Sequence, residues 1–133
     1  MTTLPFDQLV RELASFLGTQ LGFEHDIYRL VVPVPLGRQQ EVSASIRPDP
    51  EGRPIIAFVS TVGEVRPGID PWLLLQHNAT PVYCRIAALN GMLVVIASQL
   101  LQTAQPEEVL LILREVATFA DRLERRLFVG DEF

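Results

Sequence analysis

Residues 70–85 read DPWLLLQHNATPVYCR. The stretch holds Cys84, the only cysteine, with His77, one of two histidines, and Asn78 directly after it. A thiol, an imidazole and an amide are the parts of a cysteine hydrolase: the imidazole takes the thiol proton and the amide orients the imidazole. Asn78-Ala79-Thr80 also matches the acceptor pattern for N-glycosylation. A third reading makes the stretch a joint between a helix and a strand, and the residue pattern favours it. In VYCRIAA, Cys84 shares an alternating face with Val82 and Ile86. Such a face is core, and apolar burial raises a thiol pKa where a nucleophile needs it lowered. His77 falls at a helix C-terminus, where positive charge is favourable. Nearness in sequence is not triad geometry.

The other candidates for chemistry are sparser. His25 and His77 are far apart and no pair of ligands has metal spacing, so neither a metal nor a cofactor is expected. Glu24-His25-Asp26 reads as a solvated connection into the first strand. Asp121 and Glu124 lie among Arg122, Arg125 and Arg126, as on an ion-paired outer helix face. Gly63 and Gly68 flank a loop that lacks a phosphate-binding pattern, and Gly-x-Ser-x-Gly is absent. The expectation is a protein that is not an enzyme and has no catalytic residue.

These side chains must be held by something, and the hydropathy pattern says by what. Leu9, Leu13, Phe16 and Leu17 recur at helical spacing, with Thr3 as N-cap and Pro5 in the first turn. The longer version of this helix runs through Leu21 and ends at Gly22, with Phe23 folding back. IYRLVVPV, residues 27–34, reads as a strand; Pro35-Leu36-Gly37-Arg38 is a turn. EVSASIR, residues 41–47, alternates, with Val42, Ala44 and Ile46 inward. PIIAFVSTV, residues 54–62, is apolar on both faces, as a central strand is. Asp70-Pro71 supplies N-cap and first helical position for WLLLQH, and Asn78 in a left-handed conformation ends it.

Residues 82–89 and 92–101 form two strands around Asn90-Gly91, a pair suited to the positive φ angles of a type I′ turn. The last helix runs from Pro106 to about Phe128, with Glu107 and Glu108 in its first turn and Arg125 and Arg126 in its last. Its stripe of Val109, Leu113, Val116, Ala120, Leu123 and Leu127 is widened by Leu110, Ile112 and Phe119. Residues 129–133 read as a mobile tail. The order is α-β-β-β-α-β-β-α, an α+β domain with an antiparallel sheet of about five strands.

At 133 residues, one domain, 1–133, is the natural division, long enough to bury a core without disulfides. A net charge of −5 argues against general binding of nucleic acid or anionic lipid, which need a basic face. All 11 basic residues are arginine. No basic stretch followed by an apolar one opens the chain, and no apolar run reaches membrane-spanning length, so a cytoplasmic protein is expected. That location removes the glycosylation reading of Asn78.

Trp72-Leu73-Leu74-Leu75 puts large apolar groups all round a helix of about two turns. One sheet cannot bury them all, so this helix is expected to meet a second subunit as well. On the first strand, Val31 and Arg29 point away from the helices if Tyr28, Leu30 and Val32 point toward them. The expected dimer or partner interface is therefore Trp72, Leu73, Leu75, Arg29 and Val31. Asn78, Cys84, Asn90 and Gly91 are structural.

This order of elements resembles the type III secretion chaperone-like fold, in particular the YbjN-like proteins. The resemblance spans nearly the whole chain. It rests on the first helix ending near Leu21-Gly22-Phe23, the strand 41–47, the short apolar helix closing in Asn78, the Asn90-Gly91 hairpin and VATFADRLERRLF, residues 116–128. It implies a homodimeric α+β domain that holds a protein partner on apolar surface. A second reading is a regulatory domain that binds a small ligand between the sheet and the helix 71–78. A thiol enzyme using Cys84 comes third.

Overall fold

The computed structural model describes residues 5–129, and the side chain of Val129 is left aside. The proposed Thr3 cap and most of the proposed tail, residues 130–133, lie outside the described residues. Helix α1 spans Phe6–Leu17 and is followed by strands β1 (Leu21–Glu24), β2 (Ile27–Val34), β3 (Arg38–Pro48) and β4 (Pro54–Glu64). Helix α2 (Pro71–His77), strands β5 (Arg85–Leu89) and β6 (Met92–Leu100) and helix α3 (Pro106–Glu124) complete the order. A single π-turn, Arg125–Val129, extends α3 to the position expected from the sequence.

The sheet has six antiparallel strands in the order β1-β2-β3-β4-β6-β5. The sequence pattern predicts five, because it carries the first helix through Leu21 to Gly22, folds Phe23 back on it and leaves Glu24 in a loop. Instead α1 stops at Gly18, whose φ of 66° is left-handed. Gly18 N–H donates to the Ser15 carbonyl and Thr19 N–H to the Ala14 carbonyl, closing the last turn. The chain then returns as a hairpin through His25 and Asp26, with φ of 54° and 63°. Asp and His tolerate this region better than most side chains, which makes a two-residue turn of what reads as a loop.

Helices α1 and α3 cover one face of the sheet. Leu9, Val10, Leu13 and Ala14 of α1 and Val109, Leu113, Val116, Ala120 and Leu123 of α3 are buried there. They meet Leu30 and Val32 of β2, Val42 and Ala44 of β3, Ile56 and Phe58 of β4, and Val95 of β6. Two residues expected inside are out. Phe16 lies on the exposed side of α1, where Val10 and Ala14 take the inner positions, and Ile46 of β3 is exposed although its partner Ile56 is buried. Arg38, entering β3, donates from Nε to both oxygens of buried Asp121 on α3, at 3.0 and 3.2 Å. Burial raises the pKa of Glu124, as does the neighbouring Asp121. The β4–β6 register shifts between Thr61 and Gly63. A Cβ on Gly63 would sit 2.6 Å from the Phe128 ring, so the missing side chain lets the end of α3 close on the sheet.

Candidate functional site: the outer sheet face and its clamped edge

The other face of the sheet carries no helix. Cross-strand neighbours share a face, so Ile55, Ala57 and Val59 of β4 join Val94, Ile96 and Ser98 of β6, and Arg85, Ala87 and Leu89 of β5. The twisted sheet curves these strands into a depression of about 540 Å³, walled by Arg47 and Pro48 on one side and Tyr83 and Arg85 on the other. Its floor is apolar. Val94 is buried on this face although it belongs to no part of the main core. Ile96, Leu89 and Tyr83 remain exposed. There is no catalytic arrangement in this surface. Its chemistry is the removal of apolar groups from water, at about 25 cal/mol per Å².

The expected interface residues fall in two places. Val31 and Arg29 are on this outer face, as their alternation in β2 implies, but on the flank away from the depression. Val31 is half-buried, and Arg29 lies near Glu24 and Glu41, at 3.4 and 3.9 Å. Trp72, Leu73 and Leu75 are exposed on α2, with Trp72 at 73%. Leu74 alone of the four packs against the core. Asp70 caps α2 as the sequence predicts, accepting from Trp72 N–H at 3.0 Å.

Asn78 is the joint between α2 and the sheet. Its Oδ1 accepts from Ile86 N–H at 2.7 Å and its Nδ2 donates to the Ile86 carbonyl at 3.4 Å. The amide thus takes the place of a neighbouring strand along the free edge of β5. It does so from a right-handed conformation, φ −67°, and not the left-handed one expected from a terminating Asn. The Asn90-Gly91 turn has φ of 52° and 78°, as the sequence predicts.

Cys84 is fully buried, but it is not mid-strand and does not share a face with Val82, which is 70% exposed. Strand β5 starts at Arg85, later than expected, because Glu115 of α3 takes the N–H groups that would have extended it. Its carboxylate accepts from Val82, Tyr83 and Cys84 at 2.8, 2.7 and 2.9 Å. Burial works to raise the Glu115 pKa, but these three bonds and the Cys84 thiol outweigh it and hold the group below its ordinary value. Burial, reinforced by that carboxylate, pushes the Cys84 thiol up to about 12. This is the opposite of an activated nucleophile.

Sequence reasoning missed Glu115 altogether. A lone carboxylate between Arg114 and Val116 carries no sign that it reaches a loop distant in sequence. His77 ends α2 as expected, with its Nε2 buried and without a hydrogen-bond partner among the described residues. The expected ion pairing of Asp121 with its helix neighbours is not found: Asp121 turns inward to Arg38. Among the described residues no group of three or more His, Cys, Asp or Glu could hold a metal ion, and no helix is long and apolar enough to cross a membrane.

No protein-family model and no curated protein matches the sequence. Solved structures do match the fold, which is α+β and type III secretion chaperone-like. A chain of the HopA1–SchA chaperone–effector complex superposes with a TM-score of 0.61 at 13% identity, covering 89% of each chain. The crystal structure of YbjN from E. coli, a candidate transcription regulator, gives a TM-score of 0.54 at 18% identity, covering 92% of this chain and 88% of that one. At these identities the likeness is one of fold, agreeing with the resemblance read from the order of elements.

Proposed function

We propose that this chain is a non-enzymatic, chaperone-like domain that holds an extended apolar segment of a partner protein on the outer face of its sheet. The observation that carries the reading is the open apolar depression over β4, β5 and β6, on the face that neither α1 nor α3 covers. An extended segment directs alternate side chains to one side, so a row of them can enter the depression while the rest face water. Tyr83 and the stem of Arg85 form one wall for such a segment. The fold neighbour found in a chaperone–effector complex supports a protein as the partner. The reading includes a homodimer, in which Trp72, Leu73 and Leu75 of α2 meet a second copy and Arg29 and Val31 extend the partner surface along β2.

A phage-displayed library of random peptides tests the holding surface without a known partner. Wild-type protein is expected to enrich clones with apolar residues at alternate positions, and Ile96→Glu to lose them while melting as wild type does. Equal enrichment by both proteins, or by neither, overturns the reading. Sedimentation velocity tests the dimer: wild type is expected to sediment as a dimer and Trp72→Glu as a folded monomer. A wild-type monomer at concentrations well above those in the binding assay removes the homodimer from the proposal.

A further inference from the structure

Among the described residues, the outward side of α3 carries a positive row that no carboxylate pairs with, in a chain whose net charge is −5. The guanidinium groups of Arg114, Arg122, Arg125 and Arg126 make no hydrogen bond or ion pair among the described residues. The carboxylates that should neutralise them are engaged elsewhere. Glu115, which itself lines the smaller depression, has its carboxylate taken up by three N–H groups, Asp121 is turned inward to Arg38, and Glu124 sits half-buried beside it. The arginines line two adjoining depressions of about 440 and 350 Å³ that share Thr80, Phe119 and Arg122. Together these form one elongated groove between α3 and the segment after α2, with buried Phe119 in its floor.

We infer that this groove binds an extended acidic segment of a partner protein. The spacing fits. Helical rise separates Arg114 from Arg122 by about 12 Å, and Arg126 follows about one turn further on, in the π-turn that extends α3. Alternate residues of an extended chain advance by about 6.6 Å. Carboxylates two and four places apart along such a segment therefore meet successive guanidinium groups, each able to grip a carboxylate with two parallel N–H donors. The groove belongs to the helix side of the molecule and stands independently of the apolar sheet face. Nucleic acid fits it less well: the Phe119 ring is buried and cannot stack on a base, and the net negative charge of the whole chain repels a polyphosphate.

The test is a titration of ¹⁵N-labelled protein with an octapeptide of alternating Glu and Ala. Alternating Gln and Ala serves as the neutral control and an oligo-dT of similar length as the competing polyanion. Shifts of the Arg122 and Arg126 side-chain resonances are expected with the acidic peptide. Affinity should fall about tenfold or more in Arg122→Gln/Arg126→Gln, and further on adding salt. Ile96→Glu should bind the acidic peptide as wild type does, which separates this site from the sheet face. Equal binding of the neutral peptide, undiminished binding by a folded double variant, or no binding of the acidic peptide overturns the inference. Tighter binding of oligo-dT at the same salt would assign the groove to nucleic acid instead.

Discussion

The two faces of this sheet are built from the same kinds of residue and meet different fates. On the inner face, Leu30, Val42, Phe58 and Val95 are sealed by α1 and α3. On the outer face, Val94 is buried, Ile55 and Val59 are half-buried and Ile96 is exposed, and this apolar surface has no helix of the described chain over it. What separates them is the number of helices. Two amphipathic helices can cover one face, and α2, too short to cover the second, is tied instead to the edge of β5 through Asn78. An apolar surface that folding alone does not bury is available for association. By this comparison the inner face carries stability, and the outer face is left for the association proposed above.

The sharpest way to break it is a matched pair of truncations. Leu113, on α3 against the inner face, is fully buried, whereas Ile96 on the outer face is 37% exposed. Leu113→Ala is expected to cost about 2–5 kcal/mol, since it removes a packed side chain and leaves a cavity. Ile96→Ala should cost under about 1 kcal/mol, because much of its surface already meets water. Urea unfolding of the two variants measures both. Comparable losses would mean that the outer face is covered in solution, as it would be if it formed the dimer contact itself.

A second test concerns the edge where the two faces meet. Glu115 holds Val82, Tyr83 and Cys84 in a segment that walls the outer depression while its helix seals the inner face. Glu115→Gln keeps the shape but loses charge and one acceptor, and should cost about 1–2 kcal/mol. Because the folded-state pKa is depressed, the carboxylate's contribution is fully present above its unfolded value, near 4.5, and is lost as pH falls through the lower folded value. Wild type should therefore lose stability below about pH 4.5 more steeply than Glu115→Gln. Thermal melts from neutral pH down to about pH 3 compare the two slopes. Parallel slopes would mean that Glu115 does not hold the segment in solution.

The inner face was readable because burial writes a period into the sequence. The alternation in β2 and the stripe on α3 both predict buried residues, with Leu110 and Leu127 of the stripe only half-buried. So was the Asn90-Gly91 turn, where backbone strain restricts the residue choice. Strand β1 was not, since four residues containing Gly22 carry almost no period and His25-Asp26 is an uncommon turn pair. The outer depression was half-readable: Val31 marks the correct face, but the concavity sits over β4, β5 and β6, and curvature arises from the twist of all the strands together. The roles of Glu115 and of the arginines along α3 and its π-turn were unreadable, because which carboxylate pairs with which donor is decided by tertiary approach. Asp121 beside Arg122 looks in sequence like an ion pair, and the fold turns it away.

The smallest expected effect lies at a turn that belongs to neither face. Leu36 links β2 to β3 with φ of 67° and its side chain 82% exposed. Unlike Asn90, which adopts a similar angle at small cost, a leucine in the left-handed region crowds its Cβ against the backbone, and here it gains no packing in return. Leu36→Asn should therefore stabilise the protein by about 0.5–1 kcal/mol, through relief of strain at an unchanged backbone. The gain should appear in the urea midpoint with no change in the slope of the transition, and peptide enrichment on the outer face should be unaltered. A loss of stability would mean that Leu36 is covered in solution. It would then join Trp72 among the apolar groups assigned to the proposed dimer contact.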